Sequence, residues 1–264
     1  MKKLALVLGG GATKGYAHIG VIKVLEDNGI KPSLIVGTSM GAVVGGVYAS
    51  GKTTEHLIRI SKQLTKNKIM DFNIFSALFT TGIMSGKKLK KVLYQEIGNV
   101  THSELKIPFV AIATNILNGS CVLLQDGLVL DSILASTAIP GVYPMIDEDN
   151  QILCDGGLVN NVADDVAKKL AKDYVILSVD VIGDYYKQVE NTKIKVMGAT
   201  VNSLTLMQTQ ITKLKGNFSD IRLKITQPDV SQMSFDVESI EKSIDYGIKS
   251  MQRNVTKLKK LLKD

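Results

Sequence analysis

Residues 34–46 read LIVGTSMGAVVGG. An apolar run ends at Gly37, Ser39 stands between Gly37 and Gly41, and small residues continue through Ala42, Gly45 and Gly46. A strand that turns sharply into a helix has this pattern. The turn holds the serine in a strained backbone conformation with its hydroxyl exposed, and glycines on either side remove side chains that would collide with neighbouring elements. The spacing G-x-S-x-G makes Ser39 a candidate nucleophile. The signal is only moderately specific in a chain with 23 glycines, and its place between LIV and AVVGGVYA strengthens it.

Outward from this turn, strand-like apolar runs recur at 4–9, 33–37, 108–114, 121–125, 151–155, 174–181 and 220–226. Several are continuous rather than alternating, as strands covered on both faces must be. Helical patterns lie between them at 15–29, 40–50, 54–65, 86–97, 130–138, 164–172, 195–214 and 237–263. Gly29 and Gly51 follow helices where a stop is needed, and Ser85 is placed as an N-cap. Strands alternating with helices predict an α/β protein with a mostly parallel central sheet between helical layers. No linker or repeat divides the chain, so residues 1–264 are expected to form a single domain.

Function in such a sheet collects at the carboxyl ends of the strands. Besides Ser39, two other strand ends carry unusual residues. The run LALVL stops at Gly9, Gly10 and Gly11 and leads through Ala12, Thr13, Lys14 and Gly15 into a helix, which puts backbone N–H groups where negative charge would sit. Neither the dinucleotide fingerprint nor the phosphate-loop pattern is met there. QILCDGG puts Asp155 at the end of an apolar run, with Gly156 and Gly157 allowing close backbone approach. A serine hydroxyl needs a base. The three histidines are His18, His56 and His102, and none follows residue 102, so the order serine, acid, histidine of the usual hydrolase triad has no convincing members. A carboxylate acting directly on Ser39, with Asp155 as base, is the alternative the sequence offers.

Composition narrows the classes further. The formal net charge is +7, with much of the lysine excess in SGKKLKKVL (85–93) and NVTKLKKLLKD (254–264). Each run reads as a solvated helix face, and together they fit peripheral contact with an anionic membrane. No aromatic stacking platform or recognition helix points to nucleic acid. Cys121 and Cys154 sit within apolar runs, which fits buried thiols in a reducing compartment, and no metal-ligand spacing is present. The opening MKKLALVLGGG imitates a signal peptide, but its apolar run is short and ends in glycines, so a cytoplasmic protein is expected. Nothing in the sequence sets an oligomeric state.

Taken together, GGGATKG with AHIGV, GTSMGA and DGGLVNN, in that order, resemble the bacterial patatin-like phospholipases; IPFVAIAT and STAIPGVYP extend the likeness over most of residues 4–182. The resemblance implies a three-layer α/β/α fold and a lipid acyl hydrolase that needs neither histidine, metal nor cofactor. It implies Ser39 as nucleophile, Asp155 as base, and the glycine turn Gly9–Gly11 as oxyanion hole, with the amides of Gly10 and Gly11 as donors. Lys14, Gly15, Gly37, Gly41, Gly156 and Gly157 would support these motifs. Ala12 stands where many members have glycine, Ala163 where proline is common, and Asn115 where aspartate is frequent.

Some readings stay open at this stage. Lys14 either attracts an acidic head group or fixes the loop. His18 is expected to be a packed helix residue. Residues 72–84, uncharged and apolar, form either a flap over an acyl groove or a buried helix and loop. Val255, Leu258 and Leu262 make a stripe that packs on the core or lies on a membrane surface. A nucleotide-binding enzyme, or a lipid-binding protein of the same fold with slow turnover, remain as alternatives to the hydrolase.

Overall fold

Strand β1 (Leu4–Leu8) is buried at every position. Leu4, Leu6 and Leu8 join one hydrophobic core and Ala5 and Val7 another. A strand whose two faces both meet apolar neighbours has no polar side, which is why it reads as an unbroken apolar run. The computed structural model describes residues 2–65, 81–183 and 196–264, without the side chains of 196–198. The other strands are β2 (Leu34–Thr38), β3 (Phe109–Asn115), β4 (Ser120–Leu124), β5 (Ile146–Glu148), β6 (Gln151–Asp155), β7 (Val175–Asp180) and β8 (Ile221–Lys224). They form one sheet in the order β5–β6–β3–β2–β1–β7–β8, with β4 also paired to β3. Strands β3, β2, β1, β7 and β8 are mutually parallel; β4, β5 and β6 are antiparallel to their neighbours.

The helices cover the sheet unequally. On the face of Leu4, Leu6 and Leu8 lie α1 (Ala17–Asp27), α2 (Met40–Ala49), α3 (Thr54–Ser61), α4 (Lys87–Ile97), α5 (Val129–Ser136), α9 (Val237–Gln252) and α10 (Val255–Lys263). Against the face of Ala5 and Val7 packs α7 (Asp164–Leu170), through Val166 and Ala167. Between β6 and α7 is a single turn, α6 (Gly157–Asn160), and beside α6 runs α8 (Val196–Lys215). The arrangement is the expected α/β/α sandwich.

The boundaries differ from expectation at physically informative places. The helix expected over 15–29 begins as a 3-10 turn, Ala12–Tyr16, before α1. The segment expected as one helix over 237–263 breaks into α9 and α10 at Arg253–Asn254, where the Asn254 side-chain amide donates to the Ser250 carbonyl and competes with the helix ladder. The Val255/Leu258/Leu262 stripe packs on the core: Leu258 and Leu262 are buried. The cap of α4 is Gly86, in the left-handed region at φ 71°, while Ser85 accepts from the Lys87 N–H. Strand β5 has no apolar signature, because only Ile146 in it is apolar and it is held by pairing with β6.

Helix α9 joins the body through glycine. Gly20 of α1 faces the Ile244 carbonyl and Gly247 of α9 faces the Ala17 carbonyl, so close that a β-carbon at either position would overlap backbone. This reciprocal contact anchors the last third of the chain beneath the glycine turn. Gly247→Ala is therefore expected to force the helices apart and to lower stability by on the order of 2 kcal/mol, read as the midpoint of denaturant unfolding.

Candidate active site

The site is set by one edge of β3. Strand β2 runs parallel to β3 and its last pair is Thr38 with Ile112. Strand β6 runs antiparallel and its last pair is Asp155 with Ala113. Because β4 pairs with residues 111–115 of β3 as well, β2 and β6 share the opposite edge and approach each other end to end. Their carboxyl ends, 117 residues apart in sequence, thus meet against consecutive residues of β3.

Ser39 follows Thr38 with φ 52° and ψ −121°, a left-handed conformation that costs a non-glycine residue on the order of 1–3 kcal/mol. It stands at the N-terminus of α2, a helix whose nine residues from Gly41 to Ala49 are all buried. Gly41 faces the Leu8 and Gly9 carbonyls and Gly37 faces Gly41 and Ala42, so neither tolerates a β-carbon. The strained turn is held by Ser136, which the motif reading did not single out. Its hydroxyl donates to the Ile112 carbonyl at 2.6 Å and accepts the Ser39 N–H at 2.9 Å. Ser136 lies in STAIPGVYP, and only the fold shows what it touches.

Across the strand junction, Asp155 is 2 % exposed and lines the same cavity as Ser39, whose hydroxyl favours the ionised carboxylate. The Asp155 Oδ1 accepts the Gly157 N–H at 2.7 Å. Burial pushes its pKa up to about 6, against the opposing pull of the Ser39 hydroxyl and the Gly157 N–H. Gly156 lies over the Ile112 carbonyl without room for a side chain.

The glycine turn is laced to the same junction. Asn161 accepts the Gly10 N–H on its carbonyl at 3.2 Å and donates its side-chain amide to the Gly10 carbonyl at 3.3 Å, while Thr38 donates to the Asn160 carbonyl. These bonds make the amides of the expected donor set unequal. The Gly9 N–H is taken by the Val179 carbonyl, which continues the β1–β7 ladder, and the Gly10 N–H is taken by Asn161. Among the described residues the Gly11 and Ala12 amides have no acceptor, and so they are the ones left for a ligand oxygen. Ala12 has φ 48°, which explains why glycine is common at its position in the resembling family.

Lys14 is buried, and burial lowers its pKa to about 8 against the field of Asp229. Its carbonyl accepts from Gln227 and Ser243 of the C-terminal third. This position fixes the loop; it does not present a cation to solvent. Gly15 packs against Met40, next to the elbow.

None of the histidines touches Ser39 or Asp155. His18 is fully buried, is held neutral with a pKa lowered to about 4 by burial, and donates Nε2–H to the Gly9 carbonyl at 2.7 Å. His56 pairs with Glu96, and His102 bridges the Phe109 carbonyl and Ser132. Cys121 and Cys154 are both free, Cys154 buried and Cys121 half-buried. Both pair with Thr114 of β3, one on each side, which separates their backbones by two strand spacings, about 10 Å, beyond disulfide reach. Among the described residues no cluster of His, Cys, Asp or Glu could hold a metal, and no helix is long and apolar enough to cross a membrane. The flap expected at 72–84 lies outside the described residues except for 81–84.

Ser39, Asp155, Gly10, Gly11 and Ala12 line a cavity of about 40 Å³. Its other walls include Val201, Leu204, Thr205 and Gln208 of α8, and Gln232. The C-terminal third, which carries no motif, therefore closes the site. Thr13 donates to the Gln232 carbonyl through both its N–H and its hydroxyl, and Thr205 lies 2.8 Å from the Gln232 side chain.

Residues 6–167 match the patatin-like phospholipase family, and the chain belongs to that family. An uncharacterized NTE family protein of Mycobacterium tuberculosis is 40% identical over 160 residues, which cover 60% of this chain and 43% of that protein. Lysophospholipase NTE1 of Meyerozyma guilliermondii is 31% identical over 67% of this chain and 12% of its own length, and Neuropathy target esterase sws of Drosophila melanogaster 29% identical over 67% and 13%. The match thus spans less than half the length of these curated relatives. Among solved structures, VipD from Legionella pneumophila superposes with TM-score 0.51 at 12% identity, covering 96% of this chain and 67% of that one, and the type III effector ExoU with 0.50 at 12%, covering 97% and 53%. These two likenesses concern the fold.

Two outcomes follow from the geometry. Ser136→Ala removes the anchor of the strained turn and leaves the Ile112 carbonyl and Ser39 N–H unpaired; a loss of about 1–3 kcal/mol in unfolding free energy is expected, with Ser136→Thr retaining part of it. Asp155→Asn should stabilise the fold at pH 7, by roughly 2 kcal/mol or a few degrees in Tm. The folded-state pKa of Asp155 lies above the ordinary 3.8, so the ionised form is disfavoured by folding, and its cost appears as pH rises through that window. The difference between Asn variant and wild type should shrink toward zero below about pH 4, as a calorimetric pH series would record.

Proposed function

We propose that the chain is a serine acyl hydrolase that cleaves carboxylic esters of phospholipids, lysophospholipids or related lipids through a Ser39–Asp155 dyad. The observation that carries this reading is the meeting of Ser39 with a buried carboxyl raised toward neutrality in one cavity, beside two uncommitted amides. Asp155 accepts the Ser39 proton as Oγ bonds to the ester carbonyl carbon. The carbonyl electrons move onto oxygen, where the Gly11 and Ala12 amides would stabilise them by about 3 kcal/mol per well-placed donor. Collapse of this intermediate expels the alcohol with the proton from Asp155 and leaves an acyl-enzyme. Water, deprotonated by the same carboxylate, then releases the fatty acid. A base with a pKa near the operating pH suits both proton transfers.

Family membership supports this reading, as do the ester-hydrolase names of Lysophospholipase NTE1 and Neuropathy target esterase. The bonds from Gln232, Gln227 and Ser243 to the glycine turn support residues 1–264 acting as one unit. The free thiols fit a cytoplasmic location, with the substrate reached at a membrane surface.

A fluorophosphonate probe is expected to label Ser39 and no other serine. Ser39→Ala should abolish both labelling and ester hydrolysis, and Asp155→Asn should reduce kcat by ~10²–10⁴-fold. Substitution of His56 or His102 should leave kcat intact. Since Asp155 must be ionised to accept a proton, kcat/KM should rise through about pH 6 and level off above it. Full activity of the Asp155→Asn variant would refute the dyad.

A further inference from the structure

We propose that helix α8 is a movable cap over the candidate active site, and that its outer face docks on an anionic lipid surface so that docking favours the open position. This rests on the reading of Ser39 and Asp155 as a lipid hydrolase site and names the surface that regulates it.

The cavity that holds Ser39 and Asp155 measures about 40 Å³, whereas pockets for small organic ligands are typically about 300–1,000 Å³. The space suits a water molecule or two and no acyl chain. What closes it is α8, through Val201, Leu204, Thr205 and Gln208. Ile139, Pro140 and Leu158 line it as well, and α8 is the wall assigned to shift when an acyl chain enters.

The way α8 is held makes such a shift inexpensive. Its buried positions are Val201, Thr205, Thr209 and Thr212, spaced along one face. A surface helix normally puts its large apolar residues there. Here three of the four are threonines, and each has a carbonyl of α8 itself within 2.8 Å of its hydroxyl, at Val201, Thr205 and Gln208. Only Thr205 also reaches outside the helix, to Gln232. Lifting the helix uncovers Val201 and the half-buried Leu204 and Ile211 and parts the Lys215–Asp165 ion pair, but leaves the hydroxyl bonds of its threonines intact.

Three other large apolar side chains of α8 point outward. Leu206 is 39%, Met207 53% and Leu214 86% exposed, and Phe218, just past the left-handed Gly216 at φ 83°, is 48% exposed. Leu206, Met207 and Leu214 share one face, with Ser203, Gln210 and Lys213. The charge around this face is basic. Lys213 near the helix end lines a neighbouring cleft with Lys224 and Lys257, opposed by Asp180 and Asp220, while Lys215 and Arg222 are paired with Asp165 and Asp164. Apolar residues flanked by lysines match an anionic headgroup layer with acyl chains beneath it. A surface of lipid is also where the proposed substrate resides.

The test uses the full chain with Ser39→Ala, so that binding is read without turnover, and vesicles of equal parts phosphatidylglycerol and phosphatidylcholine. Flotation at low salt is expected, weakened by high salt, and the additional triple change Leu206→Ser, Met207→Ser, Leu214→Ser should reduce it about tenfold or more. In the otherwise native chain, hydrolysis of a short-chain phosphatidylglycerol should climb about tenfold as the substrate passes from monomers to micelles. The triple variant should lose this jump while hydrolysing a water-soluble short-chain ester at the native rate, which also reports that it is folded. Absence of flotation, equal flotation of the triple variant, or a native rate that is smooth across the micellar transition each overturns the proposal; absence of flotation would leave the face to a protein partner. Flotation that depends on the three residues in a chain with no esterase activity of any kind would instead sink the hydrolase reading and retain the docking surface.

Discussion

The edge of β3 at Ile112 and Ala113 is the constraint on which the rest of the site depends. A sheet edge accepts one neighbour at a time, and here a parallel strand occupies its first half and an antiparallel strand its second. Strand pairing fixes both neighbours to within a fraction of an ångström, so Ser39 and Asp155 are placed by backbone hydrogen bonds before their side chains make any contact. The Ile112 carbonyl lies at the seam. It is bonded by Ser136, which holds the elbow, and it is approached by Gly156, which no side chain keeps away.

Unfavourable local terms converge on this seam. Ser39 and Ala12 both occupy the left-handed region, and Asp155 is desolvated enough to raise its pKa to about 6. Each is a cost that the surrounding packing sustains: α2 is buried on all sides, α1 and α9 meet through glycines, and His18 is locked neutral under Gly9. Costs of this kind cluster where a fold holds reactive groups away from their relaxed geometry. The dry environment that raises the Asp155 pKa also makes it a stronger proton acceptor once ionised.

The C-terminal third stands in a different relation to the site. α9 is bound tightly through Gly20 and Gly247, and its Ser243 reaches the Lys14 carbonyl. α8 lines the cavity with Val201, Leu204, Thr205 and Gln208 and turns Leu206, Met207 and Leu214 outward. One part of this region supports the glycine turn from beneath, and the other closes it from above. This division explains how a region without a recognisable motif shapes a site made of three motifs.

The layered α/β architecture, the strand–turn–helix at Ser39 and the placing of Asp155 at a strand end were legible from residues 1–182, because unbroken apolar runs and glycine spacing are local consequences of burial and close approach. The free amides beside Ser39 were legible only as a turn. Which of its amides are free depends on the Val179 and Asn161 carbonyls, supplied by segments some 150 residues away. Ser136, the break at Asn254, the short strand β5 and the closure by α8 were likewise decided in three dimensions. A sequence records what each segment can bury or bend, whereas the hydrogen-bond partners of a loop are chosen by whatever the sheet and helices bring beside it.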